Sequence, residues 1–158
     1  FSMINNLVQF LNYENIYLVA NWGVIPFWLL LITVPNHILT NFLVHSVIVP
    51  LLLAAAYCFV AYEIYLEGNI LDGFELYRGL DGLYAMFSNE SFLIIFWLHF
   101  LAISLFLGSW IARDSAKYQV SRFFVIISLI LTYFTGPVGL VIYWFIRIFY
   151  SKKINFND

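Results

Sequence analysis

Residues 92–112 read FLIIFWLHFLAISLFLGSWIA and hold no charged side chain. As a helix, such a run is about 30 Å long, the thickness of a bilayer's hydrocarbon core. Lipid offers the backbone no hydrogen bonds, so a segment of this kind satisfies its own N–H and C=O groups by coiling. Three further stretches are long and mostly apolar, at about 16–34, 42–66 and 123–146, and the quoted run makes the third span in chain order, about 91–112. The alternating pattern of a barrel strand is absent. The expected fold is therefore all-α: a single integral membrane domain over 1–158, built as a bundle of four transmembrane helices.

Composition agrees. Of 158 residues, 63% are apolar and 10% charged, against roughly 25% charged in a soluble domain. Mean hydropathy is +0.90. A soluble domain of this size cannot hide so much apolar surface, which excludes a soluble enzyme. A net charge of -2 gives no electrostatic footprint for nucleic acid. The lone Cys58 excludes an internal disulfide or a thiolate metal cluster. The expected location is a bacterial inner membrane or an organelle membrane.

The spans are punctuated. Pro26, Pro50 and Pro137 each interrupt one, and interrupted helices often line cavities in membrane proteins. Gly23, Gly108, Gly136 and Gly139 let helices approach closely. The first connection is short, Pro35-Asn36-His37, with Thr40 or Asn41 as helix cap. The third is short and basic, with Arg113, Asp114, Lys117 and Arg122. The second, about 67–90, is acidic apart from Arg78, and echoes Leu71-Asp72-Gly73-Phe74 in Leu80-Asp81-Gly82-Leu83. Leu76, Leu80, Leu83 and Phe87 fall at helical spacing, which predicts an amphipathic interfacial helix. At the start, Met3 reads as the initiator, with Phe1 and Ser2 added ahead of it. Met3–Asn15 has no signal-peptide pattern, and Ile4, Leu7, Val8 and Leu11 suit a second interfacial helix. With four spans, Arg78, Arg147, Lys152 and Lys153 share one face, and Arg113, Lys117 and Arg122 the other. That balance leaves orientation open, because the positive-inside rule counts Lys and Arg.

A series of local signatures runs along the chain in a recognisable order. These are Trp22-Gly23-Val24-Ile25-Pro26-Phe27-Trp28, His45-Ser46-Val47-Ile48-Val49-Pro50 with Ala55-Ala56-Tyr57, and Leu80-Asp81-Gly82-Leu83 with Met86-Phe87-Ser88-Asn89. Trp97-Leu98-His99-Phe100-Leu101-Ala102, Leu105-Phe106-Leu107-Gly108 with Trp110-Ile111, and Thr135-Gly136-Pro137-Val138-Gly139-Leu140 with Tyr143 and Arg147 follow. In this order the set resembles the abscisic-acid-deficient-4-like membrane proteins, over roughly Trp22 to Arg147. The plant members of that family are required for neoxanthin synthesis in plastids. The resemblance implies a small four-helix membrane domain and an isomerase or epoxide-opening activity on a carotenoid (xanthophyll). Two positions depart from it. Ser104 stands where the family usually carries an acidic residue, and Ser109 where it usually carries Arg. Five apart on a helix, these two point about 140° apart, so they do not form a direct pair. Their joint neutrality points to a changed function or a dispensable network, since either charge alone would be costly near lipid.

Few residues can carry chemistry. His99 lies about 12 Å into its span, and an ionisable side chain at that depth is a functional candidate by default. The alternative is a neutral imidazole bonded to a neighbouring helix, for which the Tyr133 carbonyl, left without a donor by Pro137, is a ready acceptor. Glu63 is either a solvated charge at a span end or an acid working with Asp81 or Arg78. Opening a carotenoid epoxide needs a proton donor near an apolar slot, and His99, Glu63 and Asp81 are the candidate catalytic groups. Trp22, Trp28 and Trp97 can line a slot for a flat polyene or simply pack. With Pro26, Tyr57, Ser104 and Pro137 they form the candidate ligand-binding set. Arg113-Asp114, Trp110 and Lys152-Lys153 read as interfacial anchors. No metal or other cofactor is expected: His45 and His99 differ by roughly 13 Å in depth, which defeats a bis-histidine haem, and three scattered His make no di-metal carboxylate site.

The sequence thus points to a membrane protein of carotenoid or isoprenoid metabolism that acts on or holds a long polyene or lipid. A non-catalytic accessory or lipid-binding subunit is the alternative. A transporter half is weaker still, because the two helix pairs show no internal repeat. Expected partners are membrane lipid or carotenoid, and a second copy or a larger membrane complex, with no nucleic acid.

Overall fold

The computed structural model describes residues 12–68 and 70–152. Every regular element among them is helical: α1 Tyr13–Gly23, α2 Ile25–Thr33, the single turn α3 Ile38–Thr40 and a π-helical stretch Asn41–His45, then α4 Ile48–Leu66. A 3-10 stretch Ile70–Tyr77, α5 Leu80–Phe87, α6 Glu90–Lys117, α7 Arg122–Thr135 and α8 Pro137–Ser151 complete the order. Three stretches are long and apolar enough to cross a membrane: Tyr13–Thr33, Ile38–Leu66 and Glu90–Lys117. The chain is a membrane protein. The N-terminal interfacial helix expected around Ile4 to Leu11 lies outside the described residues.

The prolines act as expected but from a particular place. Pro26 occupies the first turn of α2, just after the break at Val24. Pro137 opens α8, and Pro50 is the third residue of α4. At the start of a helix the segment's own bonding asks for no N–H, so proline starts each second segment rather than bending the first. The cap of the second span is neither Thr40 nor Asn41. His37 Nδ1 accepts from the Leu39 N–H at 3.2 Å, while the Thr40 hydroxyl donates to the Val34 carbonyl at 2.8 Å and closes the loop. Past the π-helical stretch, Val47 sits at φ 68°, costly for a β-branched residue.

The chain packs as two compact units. The first takes residues up to 23 and 51–102. Its core holds Ile16 and Ala20 of α1, Val60 and Ile64 of α4, and Phe92, Leu98 and Leu101 of α6. The acidic connection is helical in two pieces, the 3-10 stretch and α5, divided at Arg78-Gly79. Met86 is buried and the Phe87 ring stacks on Phe96, centroids 4.4 Å apart.

The second unit takes 24–50 and 103 onward. Here the expected fourth span is not one helix. α7 stops at Thr135, Gly136 takes φ 60° and ψ -82°, and α8 starts anew at Pro137. The two pack closely on each other: a Cβ on Gly139 would meet the Thr132 side chain and the Ser128 carbonyl. Only glycine permits that approach. Ser128 and Thr132 keep their hydroxyls on their own helix, donating to the Phe124 and Ser128 carbonyls at 2.9 and 2.7 Å, so the close approach leaves no polar group stranded. α8 buries Gly139, Tyr143 and Arg147, four apart. Both Tyr143 and Arg147 reach Asp114, which lies shortly before the start of α7 at Arg122. The chain therefore runs out along α7 and back along α8 as an antiparallel hairpin. α6 also continues to Lys117, past the expected end of its span at Ala112, because Asp114 is a helical residue paired within this unit.

Candidate functional site

In the first unit a cleft of about 450 Å³ opens between α4, the 3-10 stretch and α6. Tyr57, Ala61 and Ile64 form one wall, and Phe92, Ile95, Phe96 and His99 the other. Each set follows the helical spacing that puts residues on one face. Phe74, Leu76 and Tyr77 of the 3-10 stretch close the third side. The lining is apolar and aromatic save for the imidazole of His99 and the phenols of Tyr57 and Tyr77. The imidazole of His99 and the phenol of Tyr57 lie together, ring centroids 6.4 Å apart at 53°. Neither makes a hydrogen bond among the described residues. An imidazole and a phenol are thus set side by side in an apolar and aromatic wall.

Of the two readings of His99, a reactive group or an imidazole bonded to a neighbouring helix, the second has no hydrogen bond behind it among the described residues. The ring is exposed and faces the cleft, because its register on α6 places it with Phe92 and Ile95 rather than with the buried Leu98 and Leu101. Glu63 and Asp81 do not join it. Glu63 lines a separate cleft with Tyr13, Leu66 and Glu67. Asp81 is exposed on α5, and the partner of Arg78 is Glu75.

A further cleft of about 440 Å³ lies on another side of α6, between Tyr13, Glu14, Tyr17, Glu90, Leu93 and Trp97. Tyr17 and Trp97 pair across it at 6.1 Å. The Trp97 indole N–H is buried with no acceptor among the described residues. Trp22 is 65% exposed and lines neither cleft. Pro26 and Pro137 are exposed as well.

Trp28 belongs to the second unit and packs there. It is 3% exposed, edge-on to Tyr133 at 5.5 Å, and its ring lies where a Cβ on Gly108 would be, 2.7 Å away. Ser104 is buried in the core. Ser109 is 1% exposed, its hydroxyl 2.7 Å from His45 Nδ1. His45 Nε2 lies 3.1 Å from the Pro35 carbonyl. With the Nε2–H donated to that carbonyl, Nδ1 accepts from Ser109, and a neutral chain of hydrogen bonds is complete. The seryl side chain at a position where a cation was expected thus has a partner that needs no charge.

The largest omission of the sequence reading is the cluster around Asp114. The Tyr143 hydroxyl donates to Asp114 Oδ2 at 2.6 Å and Arg147 Nε donates to the same oxygen at 2.8 Å. Arg147 also donates to the Tyr118 hydroxyl at 3.2 Å, with its guanidinium 4.6 Å from that ring's centroid. Trp110 stands edge-on to Tyr143 at 5.6 Å. Arg147 is 1% exposed and Asp114 12%, so Asp114 forms a largely enclosed ion pair rather than standing as a lone surface charge. The one available signal was the four-residue spacing of Gly139, Tyr143 and Arg147, which puts glycine, phenol and guanidinium on one face. No group of three or more His, Cys, Asp or Glu able to hold a metal occurs among the described residues.

A family model described as ABA DEFICIENT 4-like matches residues 15–143. No curated protein and no solved structure matches the chain. The matched region takes in nearly all of the three stretches long and apolar enough to cross a membrane, His99 and Tyr57 of the cleft, and Tyr143, and the chain belongs to that family.

Proposed function

We propose that this ABA DEFICIENT 4-like protein receives one end of a long apolar polyene in the cleft of its first unit and isomerises a polar group there. The observation that carries the reading is the pairing of His99 and Tyr57, unbonded among the described residues, in an otherwise apolar and aromatic wall. Aromatic side chains hold a flat polyene by dispersion and stacking. Family membership supports a carotenoid-related ligand. The chemistry needs one acid and one base. As an epoxide C–O bond breaks, Tyr57 gives its proton to the oxygen, and His99 takes a proton from the adjoining carbon. The products are an alcohol and a new double bond, with the formula unchanged, and a proton passing from His99 to Tyr57 resets the pair. No cofactor enters the balance. The 3-10 stretch and α5 lie along the membrane surface in this reading and roof the cleft.

The neutral Ser104 and Ser109 favour a second reading, a lipid-binding subunit without catalysis. One preparation separates the two. Protein extracted in detergent is expected to show a three-banded polyene absorption, lost in His99→Gln together with Tyr57→Phe. A colourless protein carrying phospholipid by mass spectrometry supports the second reading, and a Soret band would overturn both.

A further inference from the structure

The charges of the two units are unlike, and the hairpin makes the difference sharp. Among the described residues, the first unit holds Glu14, Glu63, Glu67, Asp72, Glu75, Asp81 and Glu90 with Arg78 as its one Lys or Arg. The second holds Arg113, Lys117, Arg122, Arg147 and Lys152 with Asp114 as its one carboxylate. Asp114 is spent on Arg147, and Arg78 on Glu75. Arg113, Lys117, Arg122 and Lys152 are exposed.

The position of each charge along its span follows the same division. Glu14 begins the stretch Tyr13–Thr33, and Arg122 donates to the carbonyls of Ile32 and Thr33 at its far end. Glu63 lies near the end of Ile38–Leu66. Glu90 begins α6, and Arg113 and Lys117 lie in its last turns, about 35–40 Å away by helix rise. What had balanced the sequence count was the assumption that 123–146 crosses the bilayer. α7 has 14 residues and α8 has 15, so each is only about 21–23 Å long, short of the roughly 30 Å core. Arg147 returns to Asp114, at the end of α6 from which the hairpin departs.

We infer that α7 and α8 form a re-entrant hairpin, that the chain crosses the membrane three times, and that its basic face rests on the phosphate-bearing headgroups of the cytoplasmic leaflet. Backbone that turns at membrane depth is tolerated where its polar groups are satisfied within the protein. The Gly136 N–H donates to the Thr132 carbonyl at 2.8 Å and the Gly136 carbonyl accepts from the Leu140 N–H at 3.3 Å. The count of Lys and Arg becomes five against one among the described residues, a bias that sets orientation through the positive-inside rule. Arg113, Lys117, Arg122 and Lys152, all exposed, are placed to meet anionic headgroups.

Site-directed labelling tests this in intact cells. In a Cys58→Ser background, Tyr77→Cys, Ser121→Cys and Tyr150→Cys each present one thiol to a membrane-impermeant maleimide. Tyr77→Cys is expected to label from outside, and Ser121→Cys and Tyr150→Cys only after permeabilisation. Labelling of Tyr150→Cys together with Tyr77→Cys would mean four crossings and overturn the hairpin. Labelling of Ser121→Cys and Tyr150→Cys from outside, without Tyr77→Cys, would overturn the orientation. Leu80→Cys and Lys152→Cys repeat the measurement at each end, so a single misfolded variant leaves the test standing. For the headgroup contact, the whole protein in nanodiscs of phosphatidylglycerol is expected to melt higher than in phosphatidylcholine. The Arg113→Gln/Lys117→Gln variant should lose that gap. An equal melting point in both lipids would overturn the contact, and so would inorganic phosphate reproducing the gap in phosphatidylcholine, since that means a free anion site.

Discussion

Tyr143 donates its hydroxyl to Asp114 at 2.6 Å, and the same carboxylate oxygen receives Arg147. The phenol and the carboxylate lie 29 residues apart in the chain, so this bond holds the return of α8 against α6. It also answers the cost of burying ions: the guanidinium meets carboxylate, hydroxyl and ring at once, the condition under which a buried pair is tolerated.

Removing one partner should therefore hurt more than removing both. Asp114→Asn removes the charge that Arg147 Nε and the Tyr143 hydroxyl both reach and is expected to cost about 3–5 kcal/mol. Asp114→Asn with Arg147→Met should be markedly less damaging than either single variant. Thermal unfolding in detergent closes the double-mutant cycle, and strictly additive losses would show that the pair does not couple.

Gly139→Ala is expected to destabilise by about 1–3 kcal/mol, the usual cost of overpacking, because its methyl group would meet Thr132 and Ser128. Gly23→Ala, with nothing within 4 Å of the added carbon, should be neutral or stabilising by up to about 1 kcal/mol. Equal effects on the melting temperature would argue against close packing of the hairpin.

Ser109→Ala strips His45 Nδ1 of its donor in a buried site and should cost about 1–3 kcal/mol. Ser109→Arg should cost about 3 kcal/mol or more, since it puts an unpaired cation at membrane depth. Adding Ser104→Glu should bring little recovery, given the roughly 140° between the two side chains. Full recovery of the wild-type melting point in that double variant would contradict this geometry.

His99→Gln and Tyr57→Phe should each leave stability within about 0.5 kcal/mol of wild type, as expected away from cores and buried networks, because neither ring has a hydrogen bond to lose among the described residues. Ligand retention or turnover should fall instead. A large drop in melting temperature with unchanged ligand content would return His99 to a structural role.

Some of this was legible without a structure. Residues 92–112 are long, apolar and uncharged, so the choice between helix and strand and between lipid and water follows from transfer energetics alone. The prolines fell at segment starts for a reason equally local. The identity of the family was legible too, because ordered short motifs survive in the linear chain. What tertiary structure decided was where side chains meet. Apolar periodicity is weak in a helix surrounded by lipid, so sequence alone could not tell whether His99 faced the core or the cleft. The fourth stretch looked long enough to cross because hydropathy adds along the chain and ignores direction. One glycine at φ 60° reversed it, and that reversal brought Arg147 back to Asp114. A backbone dihedral leaves no mark on composition, and the pairings that stabilise the reversal, from Gly139 to Thr132 and from Arg147 to Asp114, join residues whose sequence separation hides them until the chain folds.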